Sequence, residues 1–193
     1  MNPGRRAVGF RAHSGWAMAV VVAGSPAHPT IIERRRIETA DPSIAGSKQP
    51  FHAAEPLPFA EAEALLRRCG ESSTRLAGAA VSELVGAHRP SAAGILCGSG
   101  RPLPDLASIL KSHALIHTAE GEMFRDVLAE AIRKCGVPLT RIREKEVWEQ
   151  GAAVFPMPDL RAEIDGLKKL AGPPWGQDEK LAALAAWIAL QQK

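Results

Sequence analysis

Residues 6–38 hold three β-type runs separated by only two short turn signals, and this constrains the fold more than any other stretch. Arg6 to His13 and Trp16 to Gly24 are apolar runs that meet at His13-Ser14-Gly15, where the glycine permits a tight turn. Ser25-Pro26-Ala27-His28-Pro29 marks a second turn. Thr30 to Glu38 reads as a third strand, β-branched at its start and charged towards its end. Consecutive strands with links this short pair as an antiparallel meander.

Beyond the meander the pattern changes to alternating helices and strands. Residues 39–58 contain four prolines and read as a long surface loop. From Phe59 the apolar period is helical, through Ala62, Leu65, Leu66, Cys69, Leu76, Ala80 and Leu84. Gly70 and Gly78 predict a bend or break, and His88-Arg89-Pro90 ends the helix. Ala92 to Cys97 is a buried strand, followed by the loop Gly98-Ser99-Gly100. Asp105 caps a short helix over Leu106 to Leu110. A longer helix over Ser112 to Cys135 carries the stripe Ile116, Ala119, Phe124, Val127, Leu128, Ala131 and Ile132, and Gly136 stops it. Leu139 to Val147 alternates with charge and reads as a strand near an edge. Asp159 opens a further helical turn, and Asp178 to Leu190 is a last amphipathic helix. The order βββαβαβα predicts an α/β fold with a mixed five-stranded sheet flanked by helices.

Composition narrows the class. The 193 residues suit a single domain over 1–193 with a Pro-rich loop at 39–58, since domains run to roughly 100–200 residues. A hydrophobic share of 46% with 23% charged residues argues against global disorder or a coiled coil. Aromatics at 5%, with no Tyr, argue against a stacking platform for single strands. The net charge of +3 permits nucleic-acid contact without requiring it. Cys69, Cys97 and Cys135 form no CxxC pair and read as reduced thiols of a cytoplasmic protein. Arg5-Arg6 before the apolar run Trp16 to Ala23 imitates a signal peptide, but the run is short and Arg11 and His13 precede it, so a strand is expected. No run reaches the roughly 20 apolar residues of a membrane span.

Several groups carry chemistry. On a helix, His113 and His117 lie one turn apart and Glu120 follows on the same face, a set that suits acid–base work or a metal such as Zn²⁺. Ala114 after His113 excludes the HExxH pattern, and the plain alternative pairs His117 with Glu120 on the helix surface. Arg11, His13 and Ser14 cluster where the first strand ends, with Arg11 suited to a phosphate and His13 to proton transfer. Gly98-Ser99-Gly100-Arg101 offers backbone N–H groups to an anion but lacks the P-loop lysine. In Arg34-Arg35-Arg36, strand alternation sends Arg34 and Arg36 to one face and Arg35 to the other. Trp175 and Trp187 read as anchors of the last helix.

Gly9-Phe10-Arg11-Ala12-His13-Ser14-Gly15-Trp16-Ala17, the helix ending at Cys135-Gly136-Val137-Pro138, and Gly176-Gln177-Asp178-Glu179-Lys180 before an apolar helix share one likeness. Together with the element order they resemble the ribonuclease H-like superfamily, in its Holliday-junction-resolvase branch. The resemblance implies two Mg²⁺ ions held by carboxylates on the first strand, the fourth strand and the last helix. Arg11 stands at the first-strand position, Ala92 to Cys97 has no carboxylate, and Asp178 alone matches.

The expectation is therefore a degenerate ribonuclease H-like domain that binds nucleic acid or a phosphorylated ligand without the two-metal site. Its binding residues would be Arg11, His13 and Ser14. One alternative is an active metal-dependent nuclease or hydrolase using Asp178 with His117 and Glu120, and Mg²⁺ or Zn²⁺ as its ion. Another is a non-enzymatic interaction protein or homodimer. A common mouth for Arg11, His13, His117, Glu120 and Asp178 is expected where strand ends meet helix starts.

Overall fold

The computed structural model describes residues 5–25 and 28–192. Its centre is a five-stranded sheet of β1 (Arg6–His13), β2 (Trp16–Ser25), β3 (His28–Glu38), β4 (Ala92–Cys97) and β5 (Leu139–Arg143), in the order β3-β2-β1-β4-β5. β1 and β2 pair antiparallel, as do β2 and β3, whereas β4 runs parallel to both β1 and β5. The helices are α1 (Pro50–Ala54), α2 (Phe59–His88), α3 (Leu106–Leu110), α4 (His113–Lys134), α5 (Val147–Val154), α6 (Leu160–Gly166), α7 (Lys168–Ala171) and α8 (Gln177–Gln191). This is the expected βββαβαβα frame, with α5 to α7 added before the last helix. Pro26 and Ala27, at the centre of the expected second turn, lie outside the described residues.

Strand alternation divides β1 between two cores. Val8 and Phe10 are fully buried with Val81 and Leu84 of α2 and Leu128 and Ile132 of α4. Ala7 joins the opposite core with α8. That second contact is unusually close because both partners are small. Gly9 and Gly94 are register partners on β1 and β4. A Cβ on Gly9 would lie 1.9 Å from the Ala182 carbonyl oxygen, and one on Gly94 would lie 2.3 Å from that of Ala185. The two glycines thus admit the alanine-rich face of α8 directly onto the sheet. Trp187 fills the space left beside it, fully buried and stacked on Phe155 at 3.9 Å.

Three sequence expectations need correction. The strand over Leu139 to Val147 ends at Arg143, and Glu144–Glu146 form a 3-10 turn. Val147 and Gly151 then pack towards α8 at helical spacing, with Gly151 against Leu184, so burial there favours a helix over an extended edge. α2 runs unbroken through Gly70 and Gly78. Its buried stripe is Ala62, Leu65, Cys69, Ser72, Ser73, Ala77, Val81 and Leu84, whereas Phe59 is half exposed. Packing along this stripe overrides the low helix propensity of two glycines. The Pro-rich stretch is also ordered. Thr39 and Ala40 N–H groups both donate to Gly15 O, and Asp41 accepts from Ser43 and from Ser72 of α2. α1 lies within it.

The capping expectations hold. The Asp105 and Asp159 side chains accept from Ser108 N and Ala162 N, and Gly136 follows α4 at φ +72°. The apolar run after Trp16 is strand β2, with Val20, Val21 and Val22 fully buried. Among the described residues no helix is long and apolar enough to cross a membrane.

Candidate functional site

The geometry that brings Asp178 to β1 follows from the glycine contact. Arg11 lies two residues beyond Gly9 on the same face of β1, an advance of about 6.7 Å. Asp178 lies four residues before Ala182 on α8, a rise of about 6 Å. The two side chains therefore meet at the C-terminal end of β1. Gly176 N–H donates to Glu179 Oε2 at 2.8 Å and fixes the start of α8. Trp175 Nε1 donates to Ile164 O at 2.9 Å and anchors the segment before it.

Around this point four charged or polar side chains form one group. The Arg11 guanidinium donates to an Asp178 carboxylate oxygen through one terminal nitrogen. Its other terminal nitrogen donates to Glu144 Oε1 at 2.7 Å. His13 Nε2 lies 2.8 Å from the same Asp178 oxygen and, against a carboxylate, acts as the donor. The Arg11 side chain is only 15% exposed, and its Nε is buried without a partner. Burial opposes its charge, but Glu144 and Asp178 outweigh that and hold the Arg11 guanidinium above its ordinary range. Arg11 is therefore a permanent cation clamped between two carboxylates.

An aromatic and basic extension continues across β2 and β3. The Trp16 ring, the register partner of His13, stacks on it with centroids 4.3 Å apart. The Arg36 guanidinium sits 3.9 Å above the Trp16 ring. Arg34 reaches the carbonyl of Pro173, on the α8 side, while Arg35 turns the other way to Glu83 of α2. The alternation expected of the arginine run is thus observed. Trp16, Arg36 and Glu144 were not singled out as site residues by the sequence. Register could have signalled Trp16, because a two-residue turn places it opposite His13.

The expected common mouth is divided. Arg11, His13 and Asp178 converge, with Ser14 in the adjoining turn. His117 and Glu120 are on α4, which packs on the other face of the sheet from α8, so they do not join Asp178. The expected His117–Glu120 surface pair is absent as well. Glu120 is 2% exposed and bonds instead to α1, accepting from Phe51 N at 3.0 Å and from His52 Nδ1 at 3.1 Å. Its burial inside the α1–α4 contact is what removes it from the helix surface. The Gly98-Ser99-Gly100-Arg101 loop lies at the end of β4, where Glu122 and Arg125 of α4 crowd Gly98. Burial pushes the Cys69 and Cys97 thiols up, which makes them poor nucleophiles.

Neither a protein-family model nor a curated protein sequence matches the chain. Solved structures do match in three dimensions. The RuvC of Thermus thermophilus in complex with a Holliday junction substrate aligns with a TM-score of 0.59 at 13% identity, over 95% of this chain and 91% of that one. A second T. thermophilus RuvC structure aligns with a TM-score of 0.57 at 15% identity, over 95% and 92%. The yeast mitochondrial Holliday junction resolvase Ydc2 aligns with a TM-score of 0.51 at 14% identity, over 97% and 77%. The sheet order, the element order and these alignments together show that the chain has the ribonuclease H-like fold in its resolvase-like form.

Proposed function

We propose that the chain binds nucleic acid on the α8 side of its sheet and does so without two-metal cleavage of the backbone. The observation that carries this reading is the Arg11 guanidinium between Asp178 and Glu144. A pair of divalent ions needs several oxygen ligands and open positions for the attacking and leaving oxygens. Here Arg11 occupies both carboxylates, and His13 takes a further lone pair of Asp178. This donor set does not fit a two-metal centre. The single guanidinium charge offsets one of the two carboxylate charges and so weakens the repulsion that a backbone phosphate meets there. The guanidinium has no coordination position at which to activate water.

The strip His13, Trp16 and Arg36 ends in a half-exposed guanidinium held on the Trp16 ring and paired with Glu38, a surface cation within reach of a backbone phosphate. The fold neighbour solved with a Holliday junction suggests a branched duplex as the first ligand to try. Fluorescence anisotropy with a labelled four-way junction tests the reading. Expected are equal affinities in EDTA and in Mg²⁺ at matched ionic strength, a fall in affinity with salt, and about tenfold weaker binding for Trp16→Ala and Arg36→Ala. Failure to bind junction, duplex or single strand overturns the proposal, as does binding that requires Mg²⁺.

A further inference from the structure

We propose that His52, His113 and His117 form a binding site for one divalent transition-metal ion of the Zn²⁺ type, at the contact of α1 with α4. The site lies on the other face of the sheet from the Arg11 group and does not depend on the nucleic-acid reading. One ring nitrogen from each histidine lies within 4.8 Å of the others. His113 and His117 are one helical turn apart on α4, and their Nε2 atoms are 3.0 Å apart. His52 comes from the Pro-rich segment, with its ring 4.6 Å from that of His117 and 5.5 Å from that of His113.

Two Nε2 atoms at 3.0 Å require at least one to present a lone pair. Neutral imidazoles with converging lone pairs are ligands for Zn²⁺, Ni²⁺ or Cu²⁺. A tetrahedral Zn²⁺ with Zn–N bonds of about 2.0–2.1 Å separates its ligand nitrogens by roughly 3.3 Å, within reach of small ring rotations here.

The second observation is Glu120. This carboxylate is buried and touches both the His52 Nδ1 and the first backbone N–H groups of α1. By accepting from Nδ1 it fixes the tautomer and leaves Nε2 as the nitrogen with a free lone pair. A carboxylate behind a ligating imidazole is the arrangement that orients histidines at zinc sites. Three protein ligands leave a fourth position for water or an exogenous ligand. The ion would also tie the Pro-rich segment to α4.

Untagged full-length protein, stripped with chelator, is titrated with Co²⁺ and with Zn²⁺. Expected is one equivalent bound, visible Co²⁺ bands of a four- or five-coordinate site, and a rise in melting temperature. His113→Ala and His117→Ala, both at exposed positions, should weaken binding more than tenfold with unchanged circular dichroism. Glu120→Gln should weaken it by about 10–100-fold. Absence of stoichiometric uptake overturns the proposal. So does uptake that survives both histidine substitutions, which would place the ion elsewhere.

Discussion

The proposed function turns on Arg11, whose guanidinium stands where the resolvase resemblance implies a carboxylate. Its guanidinium pairs with both Asp178 and Glu144 from a position only 15% exposed. Arg11→Met keeps an unbranched apolar stem but leaves two partly buried carboxylates without a cation between them. A loss of about 1–3 kcal/mol is expected in urea unfolding, between the values for surface and buried pairs. Gly9→Ala tests the contact that brings Asp178 there, because the new Cβ would strike the Ala182 carbonyl. It should cost about 1–3 kcal/mol or more by pushing α8 off the sheet, measured in the same way. The residues of β1 were legible because alternation along a strand assigns them a face. Glu144 and His52 were not, since each reaches its partners over more than 60 positions of sequence or from outside a regular element. Glu120 shares a helix face with His117 in the sequence, but its actual partner α1 is hidden in a Pro-rich stretch with no periodicity of its own.

At the scale of elements, the boundaries set by caps and turns were legible, and those set by packing were not. Asp105, Asp159 and Gly136 mark helix ends through local hydrogen bonds or a positive φ, which a sequence reports directly. The continuity of α2 depends on its stripe against the sheet and α4, which no local rule contains. Its glycines then become a testable weakness. A Cβ at Gly70 or Gly78 meets nothing within 4 Å. Gly70→Ala and Gly78→Ala should each stabilise the protein by about 0.5–1 kcal/mol, seen as a higher urea midpoint. A loss of stability at either position would mean that α2 needs its glycines for close approach. β5 fails in the opposite sense, since charge alternation predicted an edge strand longer than the pairing with β4 sustains.

For the whole molecule, sheet and helices are joined by charge as well as by apolar contact, and this sets the acid response. Burial works to raise Glu33, but His88 at the end of α2 and Arg35 outweigh it and hold the carboxyl below its usual range. Ser43 and Ser72 do the same for Asp41. A carboxylate with a depressed folded pKa contributes stability above its unfolded value, 4.5 for Glu33, and loses it as pH falls through the folded value. The urea midpoint should therefore hold from neutral pH to about pH 5 and decline towards pH 3. Glu33→Gln should flatten part of that decline, and an unchanged slope would remove Glu33 from the cause. The central claim concerns the group at the end of β1, where a guanidinium stands between two acids. Its most direct test is strand cleavage of a labelled four-way junction by purified protein in Mg²⁺ and in Mn²⁺, with Asp178→Ala in parallel. The account predicts a retarded but intact junction with either ion and no difference between the two proteins in cleavage. Metal-dependent cleavage that disappears in Asp178→Ala would contradict it.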